Sequence, residues 1–213
     1  MQRTTPSKSA TAGRPKDPAK RAAILVAATR LFLLEGFERV SMDQIAAEAG
    51  VSKLTVYSHF GDKDGLFAEA VRAHCEHGMP TRLFDPRPGV PLKRRLTEIG
   101  TAFCAMVMSP EAITGFRILC SPQAMASGLP ALAWEAGPRR VQEAFAALLE
   151  RRIARGELEI DDPAMAATHF FTLLKGEPHA CALIGVSCCK TLPTPKAHVA
   201  SVVDLFLRAY ARR

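Results

Sequence analysis

The sequence predicts an all-α protein, and three observations carry that expectation. Apolar residues recur at helical spacing through most of the chain, as in Ile24, Leu25, Ala28, Leu31 and Phe32. Alternating β-branched runs bounded by tight turns are missing. Helix-start signals punctuate the segments at Asp17-Pro18, Ser109-Pro110 and Thr194-Pro195. In each, a side-chain oxygen accepts an otherwise orphaned N–H, and proline needs no donor at the first helical position.

The elements follow in order. The first helix starts at Pro18 and stops at Gly36. Ser41 caps a short second helix with Gln44 in the capping-box position, and Gly50 ends it. Ser52 caps a third that runs to about Phe60; Gly61 breaks the chain, and Asp62 caps a longer helix from Lys63 to about His77. Residues 78–90, GMPTRLFDPRPGV, are rich in Gly and Pro and read as a linker. Beyond it Pro91 opens a helix to about Met108. Ser109-Pro110 opens the next, which Pro122 must kink or end. Pro130 and Pro138 start two more, the second reaching about Arg155. Asp161, Asp162 and Pro163 begin an apolar helix, interrupted near Gly176 and Pro178 and resuming to about Gly185. Thr194-Pro195 starts the last helix, with a stripe of Val199, Val202, Val203, Phe206, Leu207 and Tyr210. The chain thus divides into a basic arm (1–16), a three-helix unit (17–62) and a larger helical unit (63–213).

Charge is unevenly placed. Of the 28 Lys and Arg residues six fall in the first 21 positions against one acid, and the rest of the chain is nearly balanced. Such an arm touches a polyanion or is a solvated tail. The opening residues lack a secretory signal, and the longest uncharged stretch, Ile118 to Trp134, is broken by two prolines and a glycine. The expectation is a cytoplasmic protein with no membrane partner.

Enzyme signatures fail. No two of the 14 glycines lie two apart, which removes the dinucleotide fingerprint; a P-loop, G-x-S-x-G and H-E-x-x-H are also missing. Asp161-Asp162 before a proline reads as a helix cap rather than an acid/base pair. The six cysteines form no C-x-x-C, so neither a metal nor a cofactor is expected. The vicinal Cys188-Cys189 leaves a thiol or redox sensor as the alternative function.

Residues 42–60, MDQIAAEAGVSKLTVYSHF, carry the most information. Two short helices meeting at a glycine cross steeply only if their contact residues are small, as Ala46 and Ala49 are. Ile45, Val51 and Val56 fill the space between them. The outward positions of the second helix are then Ser52, Lys53, Thr55, Tyr57, Ser58 and His59, a surface suited to the major groove of DNA.

With its flanks this segment resembles the TetR (tetracycline-repressor, AcrR) family. The match runs over about residues 13–75, through L-L-E-G-F, S-M-D-Q-I-A-A-E-A-G-V-S and T-V-Y-S-H-F-G-D-K-D-G-L-F. The resemblance implies an all-helical homodimer on double-stranded DNA, with a palindromic operator, an N-terminal DNA-binding domain and a C-terminal domain for ligand and dimerisation. It places Tyr57, His59 and Lys63 on phosphates, Lys53, Leu54 and Thr55 at base edges, and Ser41 on the DNA backbone. Arg14 and Lys16 match an arm that reaches the minor groove. Leu54 departs from the family, where a small residue is common. The string GLPALAWEAGPRRVQEAFAALLERRIARGELEIDDPAMAATHFFTLLKGEPHACALIG is similar to the C-terminal domain of the AefR-like branch of repressors.

Phe103, Met106, Met108, Phe116, Leu119, Trp134, Phe170, Phe171 and Leu174 supply apolar walls for a pocket between helices, suited to a small apolar or aromatic effector. Arg117, His169 and His179 are its candidate polar anchors. The last helix and the one at 162–185 carry more apolar surface than a monomer leaves in water, so each is expected to pair with its copy.

Overall fold

The computed structural model describes residues 17–86, 89–186 and 194–212. These form eleven α-helices and one 3-10 turn; the described residues contain no strand, only a single bridge between Leu158 and Ala211. The expected helix starts are realised by cap bonds. In α1 (Pro18–Glu35) the Asp17 carboxylate accepts from Ala19 N at 2.9 Å. In α2 (Met42–Glu48) Ser41 and Gln44 form the reciprocal capping box, and in α3 (Lys53–Phe60) Ser52 Oγ accepts from Thr55 N. Asp62 caps α4 (Lys63–Gly78) through Gly65 N at 2.7 Å. Gly50 at φ 64° makes the turn between α2 and α3, a conformation that glycine adopts without strain.

Two apolar clusters hold the molecule. The first gathers Ile24, Ala28, Leu31 and Phe32 of α1, Ile45 and Ala46 of α2, and Val56 and Phe60 of α3. Leu66 of α4 and Leu129 of a later helix join it. The second is built on α5 (Leu92–Val107), α9 (Pro138–Ala154), α10 (Pro163–Ile184) and α11 (Pro195–Tyr210). Its centre is a ring cluster in which Phe145 stacks on Phe170 at 4.8 Å and Phe206 meets Phe170 edge-on at 5.1 Å. Between the clusters lie α6 (Pro110–Leu119), α7 (Pro122–Ala126) and α8 (Leu129–Ala136). Helix α4 packs against α1 on one side and α8 and α5 on the other, so it belongs to both halves.

Residues 78–86 are not a loose linker. Met79 and Phe84 are buried in the second cluster, Thr81–Leu83 form the 3-10 turn, and the Glu76 carboxylate accepts from both Thr81 N and Oγ1 at 3.0 Å. Gly and Pro here bend a connection that two large apolar side chains pin down.

The break expected in α10 has a clear cause. Gly176 sits at φ 48° and ψ −158°, and Pro178 has no N–H to give the Leu174 carbonyl. That carbonyl instead accepts from His198 Nε2 at 3.1 Å and from the Cys104 thiol at 3.7 Å.

Candidate nucleic-acid interface and effector cavity

The α2–α3 pair is fixed by Ile45, Ala46 and Val56, all buried, and by Val51 N donating to Ala46 O at 3.0 Å. This presents the outer face of α3 to solvent. Ser52, Lys53, Leu54, Tyr57 and Ser58 are exposed on it, while Thr55 and His59 are half-buried. Leu54 is 78% exposed and leaves its apolar side chain in solvent on this face. Tyr57, at 41%, keeps part of its ring on the head.

Several of these groups are already engaged. Lys53 Nζ pairs with Asp43 Oδ2 at 2.9 Å, tying the start of α3 to α2 and raising the Lys53 pKa through that hydrogen bond. Ser52 Oγ and Thr55 Oγ1 lie 2.8 Å apart, and Ser58 Oγ donates to Thr55 O at 2.8 Å. His59 Nδ1 is buried with no partner among the described residues.

Lys63 does not reach outward. Its ammonium donates to Phe37 O at 3.0 Å and Val40 O at 3.2 Å and lies 4.3 Å from the centre of the Phe37 ring. It thereby clamps the turn between α1 and α2, immediately before the Ser41 cap. Ser41 itself is exposed. Arg14 and Lys16 lie outside the described residues, as do Cys188 and Cys189.

Below this head is a cavity of about 420 Å³ whose walls come from both halves. Thr29, Phe32 and Leu33 of α1, Phe37, and Phe67 and His74 of α4 line one side; residues of α5, α6, α8, α9 and α10 close the other. Phe37, Phe32 and Phe67 form a triangle of rings with centres 5.3–5.6 Å apart, two of the three pairs edge-on. The ring that carries Lys63 is therefore also part of the cavity wall.

Seven of the twelve residues expected in a pocket line it: Phe103, Met106, Phe116, Leu119, Trp134, Phe171 and His179. The other five are placed elsewhere, Met108 being exposed at the end of α5. Arg117 donates to the Leu183 and Ala182 carbonyls, each at 2.7 Å, and caps the end of α10. His169 Nδ1 meets Tyr210 Oη at 3.1 Å on the α10–α11 side, and Phe170 and Leu174 are buried in the second cluster. Sequence reasoning missed His74, Glu111 and Lys175, and the Gly176–Pro178 break between Lys175 and His179 removes the regular helical spacing that would have paired them.

Burial shapes the titration of these groups. It lowers His74, against an opposing pull from Glu111, and lowers His179, where the Lys175 charge adds to the effect. It also lowers Lys175. The Cys75 thiol on the cavity wall and the Cys104 thiol are both pushed up to about 11, so they stay protonated at neutral pH. The described residues offer no cluster of His, Cys, Asp and Glu able to hold a metal ion. Nor is any single helix among them long and apolar enough to cross a membrane.

Comparison with known proteins decides the family. Residues 24–70 match the bacterial regulatory proteins of the tetR family, and residues 94–212 match the C-terminal domain of AefR-like transcriptional repressors. The chain belongs to the TetR family of transcriptional regulators. It is a DNA-binding regulator and not an enzyme. Among solved structures, the flavonoid-responsive regulator FrrA is 30% identical with a TM-score of 0.73, covering 92% of this chain and all of the other. A TetR-family regulator from Mesorhizobium loti MAFF303099 is 29% identical with a TM-score of 0.72 and the same coverage. The transcriptional activator FasR of Mycolicibacterium smegmatis (strain ATCC 700084 / mc(2)155) is 36% identical over 63 residues. That match spans 30% of this chain and 28% of FasR. The first curated relatives are thus matched over about a third of their length or less.

Proposed function

We propose that this TetR-family chain is a ligand-responsive repressor, bound as a homodimer to a palindromic operator and released by a small apolar or aromatic effector held in the cavity. The observation that carries this reading is the shared wall: α1 and Phe37 of the head line the same space as α4, α5, α6 and α10 of the body. An occupant there changes how the head sits on the body. A repressor's direction of action is supported by the AefR-like repressor family that the C-terminal half matches. A flavonoid-responsive relative of the same overall fold supports an aromatic effector.

On this reading Lys53, Leu54 and Thr55 of α3 face base edges, Ser52, Tyr57, Ser58, His59 and Ser41 contact the backbone, and Arg14 and Lys16 extend into the minor groove. Lys63 acts from inside, by fixing the turn ahead of Ser41. Residues 17–62 form the DNA-binding unit and 63–213 the sensing and dimerising unit. Dimerisation through α10 and α11 is supported by Met165, Leu173 and Leu205, which leave large apolar side chains 40–50% exposed on those two helices. The recognition helices of such a dimer then stand roughly 34–36 Å apart, one turn of DNA.

The test is operator binding by the full-length chain to the DNA upstream of its own coding region, with and without hydrophobic aromatics. The sole tryptophan, Trp134, lies on the cavity wall and reports occupancy independently. Occupancy that leaves operator affinity unchanged refutes the switch, because a ligand shifts only an equilibrium whose two states it distinguishes.

A further inference from the structure

The cavity is apolar over most of its wall, yet one lysine lines it. Lys175 is the single Lys or Arg among the described lining residues and Glu111 the single carboxylate, and the two do not meet. Glu111 is exposed and its charge acts on His74; the Lys175 charge acts on His179. No described residue gives Lys175 a hydrogen bond or an ion pair; its side chain is half-buried on the cavity wall, and that burial depresses its pKa. A partly desolvated cation without a counter-ion is less well solvated than one in open water, and an arriving anion offsets part of that loss.

The position of this cation is set by the backbone. Lys175 directly precedes the Gly176–Pro178 break, whose geometry is locked by His198 and Cys104 on the Leu174 carbonyl. His179, four residues on, stands edge-on to Phe116 at 5.8 Å within the same wall. Burial and the neighbouring ammonium both disfavour its protonation, so it offers a neutral ring beside Lys175. The same cavity is walled by Phe103, Phe171 and Trp134, surfaces for a flat apolar body.

Resting on the reading of this cavity as the effector site, we propose that its ligand is an anionic aromatic molecule, its acidic group paired with Lys175 beside His179 and its rings packed on the aromatic wall.

The experiment uses the full-length protein and a panel of aromatic carboxylic acids of one to three rings, such as 2-naphthoic acid, each matched with its carboxamide. Binding is followed by Trp134 emission and operator release by a separate DNA-binding assay. The expected result is at least one acid that binds about tenfold or more tightly than its amide, equivalent to about 1.4 kcal/mol. In Lys175→Met that preference collapses while amide affinity holds, and in Lys175→Arg it persists. If no acid outbinds its amide, or if the preference survives Lys175→Met, the proposal is wrong; should Lys175→Met not fold, the wild-type comparison decides. Selective binding of acids without operator release removes the effector reading but not this assignment. Operator release by amides as effective as by acids removes this assignment but not the effector reading.

Discussion

Filling the cavity from Gly115 separates sensing from DNA binding. Gly115 lies within α6 on the cavity wall, and a Cβ placed on it meets nothing nearer than Leu33 Cδ2 at 3.7 Å, an ordinary contact. Gly115→Ala exchanges a poor helix former for the best one, a gain of roughly 0.8–1 kcal/mol. Its methyl adds up to about 0.8 kcal/mol of apolar burial. For a chain of this size each kcal/mol raises Tm by about 2–4 °C, so the variant should melt roughly 2–7 °C higher. Gly115→Leu carries three further carbons into the space a ligand needs. Wild type gains about 2.7 kcal/mol from a ligand at a hundred times its Kd, and Gly115→Leu should lose that increment. Thermal unfolding with and without a cavity ligand, beside an operator-binding titration, gives all three quantities. The expected phenotype is a more stable protein that holds its operator and ignores the effector. A Leu variant that melts lower and still binds ligand with wild-type affinity would refute the placement of Gly115 and the cavity argument with it.

Lys63→Met removes the clamp on the Phe37 and Val40 carbonyls and should cost about 1–3 kcal/mol in urea denaturation, weakening DNA binding with no change in its salt dependence; unchanged stability with a salt slope reduced by about one would make Lys63 a phosphate contact instead. On α3, Thr55→Ala should relax preference at one or two base pairs by roughly 1–3 kcal/mol, whereas Tyr57→Phe should weaken all sequences alike. Binding to a set of single-base operator variants tests both, and a uniform loss for Thr55→Ala would move that residue off the bases. Stability should also fall on mild acidification. His74 and His179 have folded pKa values below their ordinary 6.5, so the unfolded chain takes up protons first as pH drops. Their contribution is complete above pH 6.5 and is lost as pH falls through the lower folded values. Urea midpoints between pH 7.5 and 5 should show this, with a flatter profile in a His74→Gln, His179→Gln double variant; an equal slope in both proteins would assign the effect to other groups.

What the sequence disclosed about the fold was local. A cap such as Ser41 with Gln44, or Asp62 with Gly65 N, is settled within three residues, and the Gly176–Pro178 break follows from a missing donor. Residues 78–86 were harder, since the same Gly and Pro serve a slack linker or a bent connection anchored by Met79 and Phe84. The cavity was half legible for a related reason. Helix α10 is apolar on two sides, so only its rotation in the bundle separates Phe170 and Leu174, which enter the second cluster alone, from Lys175 and His179, which line the cavity, while Phe171 does both. Nothing in the local pattern assigns α1 to a cavity wall either, because Phe32 and Leu33 have the spacing of any core helix. The outward face of α3 followed from the small residues of its turn, yet the inward reach of Lys63 depends on a carbonyl pair twenty-three and twenty-six residues earlier.

Phe37 is where these long-range contacts converge. Its ring packs on Phe32 and Phe67, faces the cavity and carries the Lys63 ammonium, and its carbonyl accepts from that same ammonium. The turn from Gly36 to Val40 joins α1 to α2, and α2 is bound to α3 through the Lys53–Asp43 pair. In the proposed regulator a ligand therefore need not reach the recognition helix to move it. It has only to favour a position of Phe37 and α4 that the DNA-bound arrangement does not allow. A tenfold preference for that position supplies about 1.4 kcal/mol per subunit, and in a dimer whose two heads must fit one operator the two contributions add to roughly a hundredfold loss of affinity. Close packing makes this coupling efficient. Gly137 already sits so near α4 that a Cβ there would lie 2.5 Å from Cys75 Sγ, so α4 cannot absorb a ligand's push by yielding toward the α8–α9 turn.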